Sequence, residues 1–134
     1  MIEISMAVVI SEDKILIAQR KKGKFPELLW EFPGGKIEKG ETAEACVIRE
    51  FQEEMEKEIQ VHQLFMDTVH TYPDKGDFHL SAFWATCDTQ KLPALYEHND
   101  AKWVRLSELD DYEFCPADVP FIEALKKLPA LPNF

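Results

Sequence analysis

Residues 34–57 read GGKIEKGETAEACVIREFQEEMEK, a glycine-containing loop that runs straight into a stretch crowded with carboxylates. Gly34 and Gly35 follow Pro33, and without a Cβ the backbone there can approach an ion or a phosphate closely, its carbonyls free to point inward. Thr42 suits an N-cap, because its hydroxyl can accept from an orphan N–H of the first turn. Ala43, Glu44, Ala45 and Arg49 favour helix, so the pattern predicts a helix from Thr42 to Met55. Residues three and four apart share a helical face, which groups Glu50, Glu53 and Glu54 within an arc of roughly 100°. Val47, Ile48, Phe51 and Met55 form the adjoining apolar arc.

Like charges at this spacing repel, and Arg49 is the only cation inside the cluster. Two readings follow. The face is either a solvated acidic surface or an oxygen-only site for a hard divalent ion, Mg²⁺ or alternatively Mn²⁺, with the Gly34 carbonyl as a further ligand. Cys46 lies near the same arc, but one thiol makes no zinc site.

Loop and helix together resemble the signature of the Nudix hydrolases. In that signature Gly, five residues, Glu, seven residues, Arg-Glu, an aliphatic or aromatic residue, any residue and Glu-Glu occur in register, and Gly35, Glu41, Arg49, Glu50, Phe51, Glu53 and Glu54 match. The family pattern continues with a glycine and an aliphatic residue where this chain has Glu56 and Lys57. Without glycine to take the left-handed conformation at the helix end, the helix is expected to run on toward Glu58, with Ile59 supplying the apolar contact.

The rest of the chain is consistent with one α/β domain over residues 1–134. Ile2 to Ile10 alternate as in a strand buried more on one face, and Ser11-Glu12-Asp13 turns into a second strand, Lys14 to Arg20. Ile59 to Tyr72 and Phe78 to Cys87 read as long strands rich in β-branched and aromatic residues, and Ala101 to Leu106 as a last short one. A helix opens at Pro116 and runs to Leu128 with Val119, Ile122, Ala124, Leu125 and Leu128 on its apolar face, after which Pro129 and Pro132 predict a frayed tail. The resemblance implies a Nudix-type α/β/α sandwich with a mixed sheet.

Composition excludes several classes. With 25 acidic against 15 basic residues the net charge is −10, unsuited to binding a nucleic-acid polymer, which depends on Lys and Arg. Met6 to Ile10, the longest apolar run, is far too short to span a membrane, and no export signal is visible. Three widely spaced cysteines suggest neither a disulfide framework nor a metal clip, which fits a reducing cytoplasm. Oligomeric state is left open.

The resemblance extends to MutT-like nucleoside triphosphate pyrophosphohydrolases, and the Glu97-His98 pair with Pro-Ala-Asp-Val-Pro at 116–120 looks closest to the CTP pyrophosphohydrolase branch. It implies hydrolysis of a (d)NTP to a monophosphate and pyrophosphate by metal-activated water. Glu31 to Lys36 match a run in which the lysine is directed at the phosphates, and Arg20, in a short basic loop, becomes a candidate phosphate contact. Glu97 matches a further metal glutamate; Glu53 and Glu97 are both candidates for the general base. Arg49 is expected to orient a cluster carboxylate by paired hydrogen bonds. His62, His70 and His79 read as strand side chains.

Asp118 matches the position from which such enzymes recognise the base, and Ile4, Met6 and Val8 match the strand that lines the base pocket. An ionised Asp118 only accepts, favouring cytosine N4, while a protonated one could read an oxidised guanine. The alternative is a plain helix cap. Against these stand a catalytically silent nucleotide-sensing module, and hydrolysis of another nucleoside diphosphate derivative.

Overall fold

The computed structural model describes every residue from Met1 to Phe134. Seven strands and two α-helices follow in the order β1 (Ile2–Ser11), β2 (Lys14–Arg20), β3 (Trp30–Glu31), β4 (Gly34–Lys36), α1 (Ala43–Met55), β5 (Gln60–Tyr72), β6 (Gly76–Thr86), β7 (His98–Val104) and α2 (Val119–Lys126), with 3₁₀ turns at Leu106–Asp111 and Pro116–Asp118. The sheet runs β3-β2-β1-β6-β5, with β4 added to β1 and β7 to β2. Only β1 and β6 are parallel; the other pairs are antiparallel, so the sheet is mixed.

β1 sits in the middle, and every residue from Ser5 to Ile10 is buried, on both faces rather than mainly one. Met6, Val8 and Ile10 join Ile15, Ile17, Leu80 and Trp84 beneath Phe121, Ile122 and Leu125 of α2. On the opposite face Ala7 and Val9 join Leu16, Ala18 and Ala85 beneath Val47, Phe51 and Met55 of α1. The period-2 alternation of the strands thus sorts the apolar side chains into two layers, each closed by one helix, giving the α/β/α arrangement. Phe51 and Phe121 anchor the two layers, each burial stabilising the fold by about 1.5–3 kcal/mol.

α1 begins as expected, the Thr42 hydroxyl accepting from Ala45 N–H at 3.1 Å. It does not run on toward Glu58. It stops at Met55, and Glu56 itself takes the left-handed conformation at φ 50°. Glu56 N–H reaches Gln52 O at 3.1 Å and Lys57 N–H reaches Phe51 O at 3.3 Å, which closes the helix end without glycine at a backbone cost of roughly 1–2 kcal/mol. Ile48 is 42% exposed, so the apolar arc is narrower than its composition suggests.

Three further expectations change. Phe121 rather than Val119 anchors α2, since the 3₁₀ turn before it resets the helical phase and leaves Val119 exposed. β7 starts at His98, three residues ahead of the predicted strand, because it pairs with β2 as far as Arg20. The tail is not frayed: Leu131 packs against the core, and the Phe134 ring stacks on His62 with centroids 4.4 Å apart. No helix is long and apolar enough to cross a membrane.

Candidate active site

A cavity of about 690 Å³ opens where β1, β4 and β6 meet the loops after β2 and before β7. One end is built from backbone and carboxylates. A Cβ on Gly34 would stand 2.7 Å from Met6 Cα and closer still to the Ser5 carbonyl oxygen, while one on Gly35 would fall on the Glu50 carboxylate. Glycine at both positions therefore lets β4 lie against β1 and lets α1 bring its acidic face onto β4.

On that face Glu54 lines the cavity. Its carboxyl is pushed up to about 8, first by burial, then by a hydrogen bond with Glu50 and by the like charges of Glu50, Glu31 and Glu97. A carboxyl perturbed by burial together with convergent like charges in a cleft is a functional-site signal. Arg49 is spent on its neighbours: it grips Glu41 at 2.7 and 3.1 Å, Glu50 at 3.1 Å and Glu53 at 3.2 Å. This grip holds the Glu41 carboxyl down at about 2. Arg49 thus orients carboxylates, as expected, and does not line the cavity.

Glu97 lines the cavity together with Gly34 and Gly35 and is paired with Lys24 at 3.1 Å. Glu53, 60% exposed at its side chain, turns to Arg49 and is not part of the wall. In this arrangement no three His, Cys, Asp or Glu side chains surround a common point closely enough to ligate one ion. The donor set nevertheless fits a hard divalent cation: all the side-chain donors are oxygens, and positive charge would relieve the repulsion that keeps Glu54 protonated.

The remainder of the cavity wall is mostly apolar. Ile4, Met6, Phe32, Phe78 and Leu80 wall it, with Tyr72, Cys115 and Asp118. Val8, expected here, belongs to the core beneath α2. Asp118 is 4% exposed, and its Oδ2 accepts from Phe32 N–H at 2.8 Å. It does not cap α2, because the carboxyl makes no bond to the helix's first turn. Burial raises its pKa well above the carboxylate range, opposed by the Phe32 hydrogen bond.

A family model described as the NUDIX domain matches residues 1–125. The chain belongs to the Nudix family. It is 34% identical to the CTP pyrophosphohydrolase of Escherichia coli K12 over 131 residues, covering 97% of this chain and 95% of that protein. It is also 34% identical to the 8-oxo-dGTP diphosphatase of the same strain over 129 residues, covering 95% and 98%. Among solved structures, that of the E. coli ORF135 protein superposes with a TM-score of 0.80 at 31% identity, covering 93% of this chain and 88% of the other. Nudix hydrolases generally use divalent metal ions, in keeping with the oxygen donors on α1.

Within this Nudix frame, Lys36 lines the cavity with an exposed side chain, as a phosphate contact requires. Arg20 also lines it, but its donors are engaged: Nε with Pro26 O at 3.1 Å, one amino group with Phe25 O at 3.0 Å and the other with Glu31 at 3.1 Å. In this state it braces the loop beyond β2 instead of standing free for phosphate. Sequence reasoning missed Glu31 and His98 as a pair. Glu31 receives Arg20 on one oxygen and meets His98 Nε2 at 2.9 Å on the other, while His98 Nδ1 is buried without a partner. A charged residue between two buried aromatics, Trp30 and Phe32, was the available signal for Glu31.

Proposed function

We propose that this chain is a Mg²⁺-dependent nucleoside triphosphate pyrophosphohydrolase that cleaves a (d)NTP to its monophosphate and pyrophosphate. The observation that carries the reading is the convergence of Glu31, Glu50 and Glu97 on a half-buried Glu54 in the wall of a cavity that also holds a buried Asp118. A triphosphate lying along that cavity would meet carboxylates with its phosphates and an apolar, hydrogen-bonding pocket with its base.

Glu50, Glu53, Glu54, Glu97 and the Gly34 carbonyl are the groups that would hold the metal, with Mn²⁺ as an alternative to Mg²⁺. A divalent ion there supplies Lewis acidity to the phosphate oxygens, a lowered pKa for the attacking water and countercharge for the departing pyrophosphate. Lys36 would steady the phosphates, and Arg49 would fix the rotamers of Glu50 and Glu53. Glu97 lines the cavity and Glu53 does not, which supports Glu97 as the acceptor of the water proton.

For the base, the protonated form of buried Asp118 would offer one O–H donor beside an acceptor already shared with Phe32. That edge complements cytosine, through N4–H and N3, and equally 8-oxoguanine, through N7–H and O6. The relatives named for CTP and for 8-oxo-dGTP support the same pair of candidates. Mg²⁺-dependent hydrolysis, read as pyrophosphate from CTP, dCTP, 5-methyl-dCTP, dGTP and 8-oxo-dGTP and as AMP from ADP-ribose, tests the reading. Release from a cytosine or 8-oxoguanine triphosphate well above dGTP is expected. Metal-independent release, or AMP from ADP-ribose with no pyrophosphate from any triphosphate, would overturn it.

A further inference from the structure

The end of α1 is where the chain departs from the Nudix pattern, and both substituted side chains reach the same loop. Glu56, in the left-handed conformation, accepts through its carboxylate from the Tyr96 hydroxyl. Lys57 is only 9% exposed, an uncommon depth for an ammonium. Its Nζ donates to the Lys91 carbonyl at 2.9 Å and lies 5.6 Å from the centre of the Trp103 ring. Between these two ties the Ala94 N–H donates to Met55 O at 3.1 Å. Residues 91–96 are thus fastened at three points to the last turn of the carboxylate helix, and Glu97 is the next residue. From the other side Lys21 Nζ holds the Tyr96 carbonyl at 2.7 Å.

A glycine at 56 and an aliphatic residue at 57 would stop the helix with less backbone strain and without desolvating a charge. Neither would hold the loop. What the strained glutamate and the buried lysine share is the segment that carries Glu97.

We propose that Glu56 and Lys57 are positioning residues for the reaction, clamping residues 91–96 to α1 so that Glu97 stands at a fixed place in the cavity it shares with Glu54. The inference rests on the role given to Glu97 above. A loop without these ties would sample more conformations and pay the ordering cost each time the site assembles. The loss falls on metal binding and turnover, whereas base recognition through Asp118, which makes no bond to residues 91–97, is untouched.

Three variants separate this from a structural role. Tyr96→Phe removes only the hydroxyl, Glu56→Gly removes the carboxylate and relieves the strain, and Lys57→Leu installs the family's aliphatic residue. Each is expected to lower kcat roughly tenfold through misplacement of a reacting group, with KM for the triphosphate changed less than about twofold. Mn²⁺ binding to the nucleotide-free protein, followed by electron paramagnetic resonance, weakens in parallel, while the melting temperature of Glu56→Gly equals or exceeds that of the parent. Glu56→Gln, which still accepts from Tyr96, restores most of the kcat.

Adding Tyr96→Phe to Glu97→Gln changes neither kcat nor Mn²⁺ affinity further, because the group being positioned is already gone. Unchanged Mn²⁺ affinity and kcat in Tyr96→Phe and Glu56→Gly, or full additivity with Glu97→Gln, would overturn the proposal and leave the pyrophosphohydrolase reading standing. A parent chain that releases no pyrophosphate from any triphosphate would overturn both.

Discussion

The two ends of the cavity handle charge in opposite ways. At the α1 end, carboxylates crowd together and are kept in place by Arg49 and Lys24, so the site carries stored repulsion. At the Asp118 end a single carboxyl is withdrawn from water, its pKa raised by burial, and tied to one backbone N–H. The first end gains from a cation and loses stability without one; the second is finished as folded. Under the proposed function, chemistry that needs counterions would be separated, within one cavity, from recognition by a buried hydrogen-bonding edge.

The sharpest way to break this contrast is Glu54→Gln. Turnover should fall by roughly 10²–10³-fold, the scale of losing one preorganised electrostatic group, while the melting temperature in chelator rises because a repelled carboxyl has gone. A drop in both activity and melting temperature would mean that Glu54 is a packing residue and the repulsion is not real. Asp118→Asn should leave metal binding alone and shift the relative kcat/KM among bases by about 1–3 kcal/mol of discrimination, or roughly 5–160-fold. An unaltered ranking of bases would show that the carboxyl reads nothing.

The stability of the metal-free chain should depend on pH in a direction fixed by Glu54. Its pKa rises from 4.5 to about 8 on folding, so the folded chain holds the proton more tightly than the unfolded one. The stability it contributes is full below pH 4.5 and declines as pH climbs through about 8. Thermal melts in chelator should show that decline, and saturating Mg²⁺ should flatten it; a slope indifferent to Mg²⁺ would place its origin elsewhere.

The smallest effect belongs to His79, outside the cavity, whose two ring nitrogens meet Glu3 and Asp67 at 2.7 Å each. Those carboxylates raise its pKa above 6.5. Its stabilisation is present below pH 6.5 and lost as pH rises through the folded value. His79→Gln should remove this metal-insensitive part of the slope and leave turnover unchanged.

How legible each end was from the sequence follows from the same contrast. The carboxylate end is local: helical spacing groups Glu50, Glu53 and Glu54, and the resemblance to the Nudix signature adds Gly35, Glu41 and Arg49 on the same loop and helix. The Thr42 cap and the β1–β2 turn were legible for the same reason. The Asp118 end is assembled from β1, β3, β6 and the turn before α2, and no local spacing tells a buried Asp from a helix cap. Glu31 and His98 escaped because their pairing spans 67 residues. The helix end at Glu56 was misjudged because the rule for glycine at this position treats backbone preference alone, whereas bonds from residues 91–96 decide it here.

The parallel pairing of β1 with β6 has a kinetic side. Glu3 and His79 are register partners although 76 residues separate them, so this pair closes one of the longest loops in the chain, and such closures slow folding. Ile4 and Met6 come from β1, Phe78 and Leu80 from β6, so the pocket has no second wall until that pairing is complete. α1 and its carboxylates can form well before then. Nucleotide should therefore leave the refolding rate unchanged and slow only unfolding, since the pocket it would recognise is among the last things the chain makes.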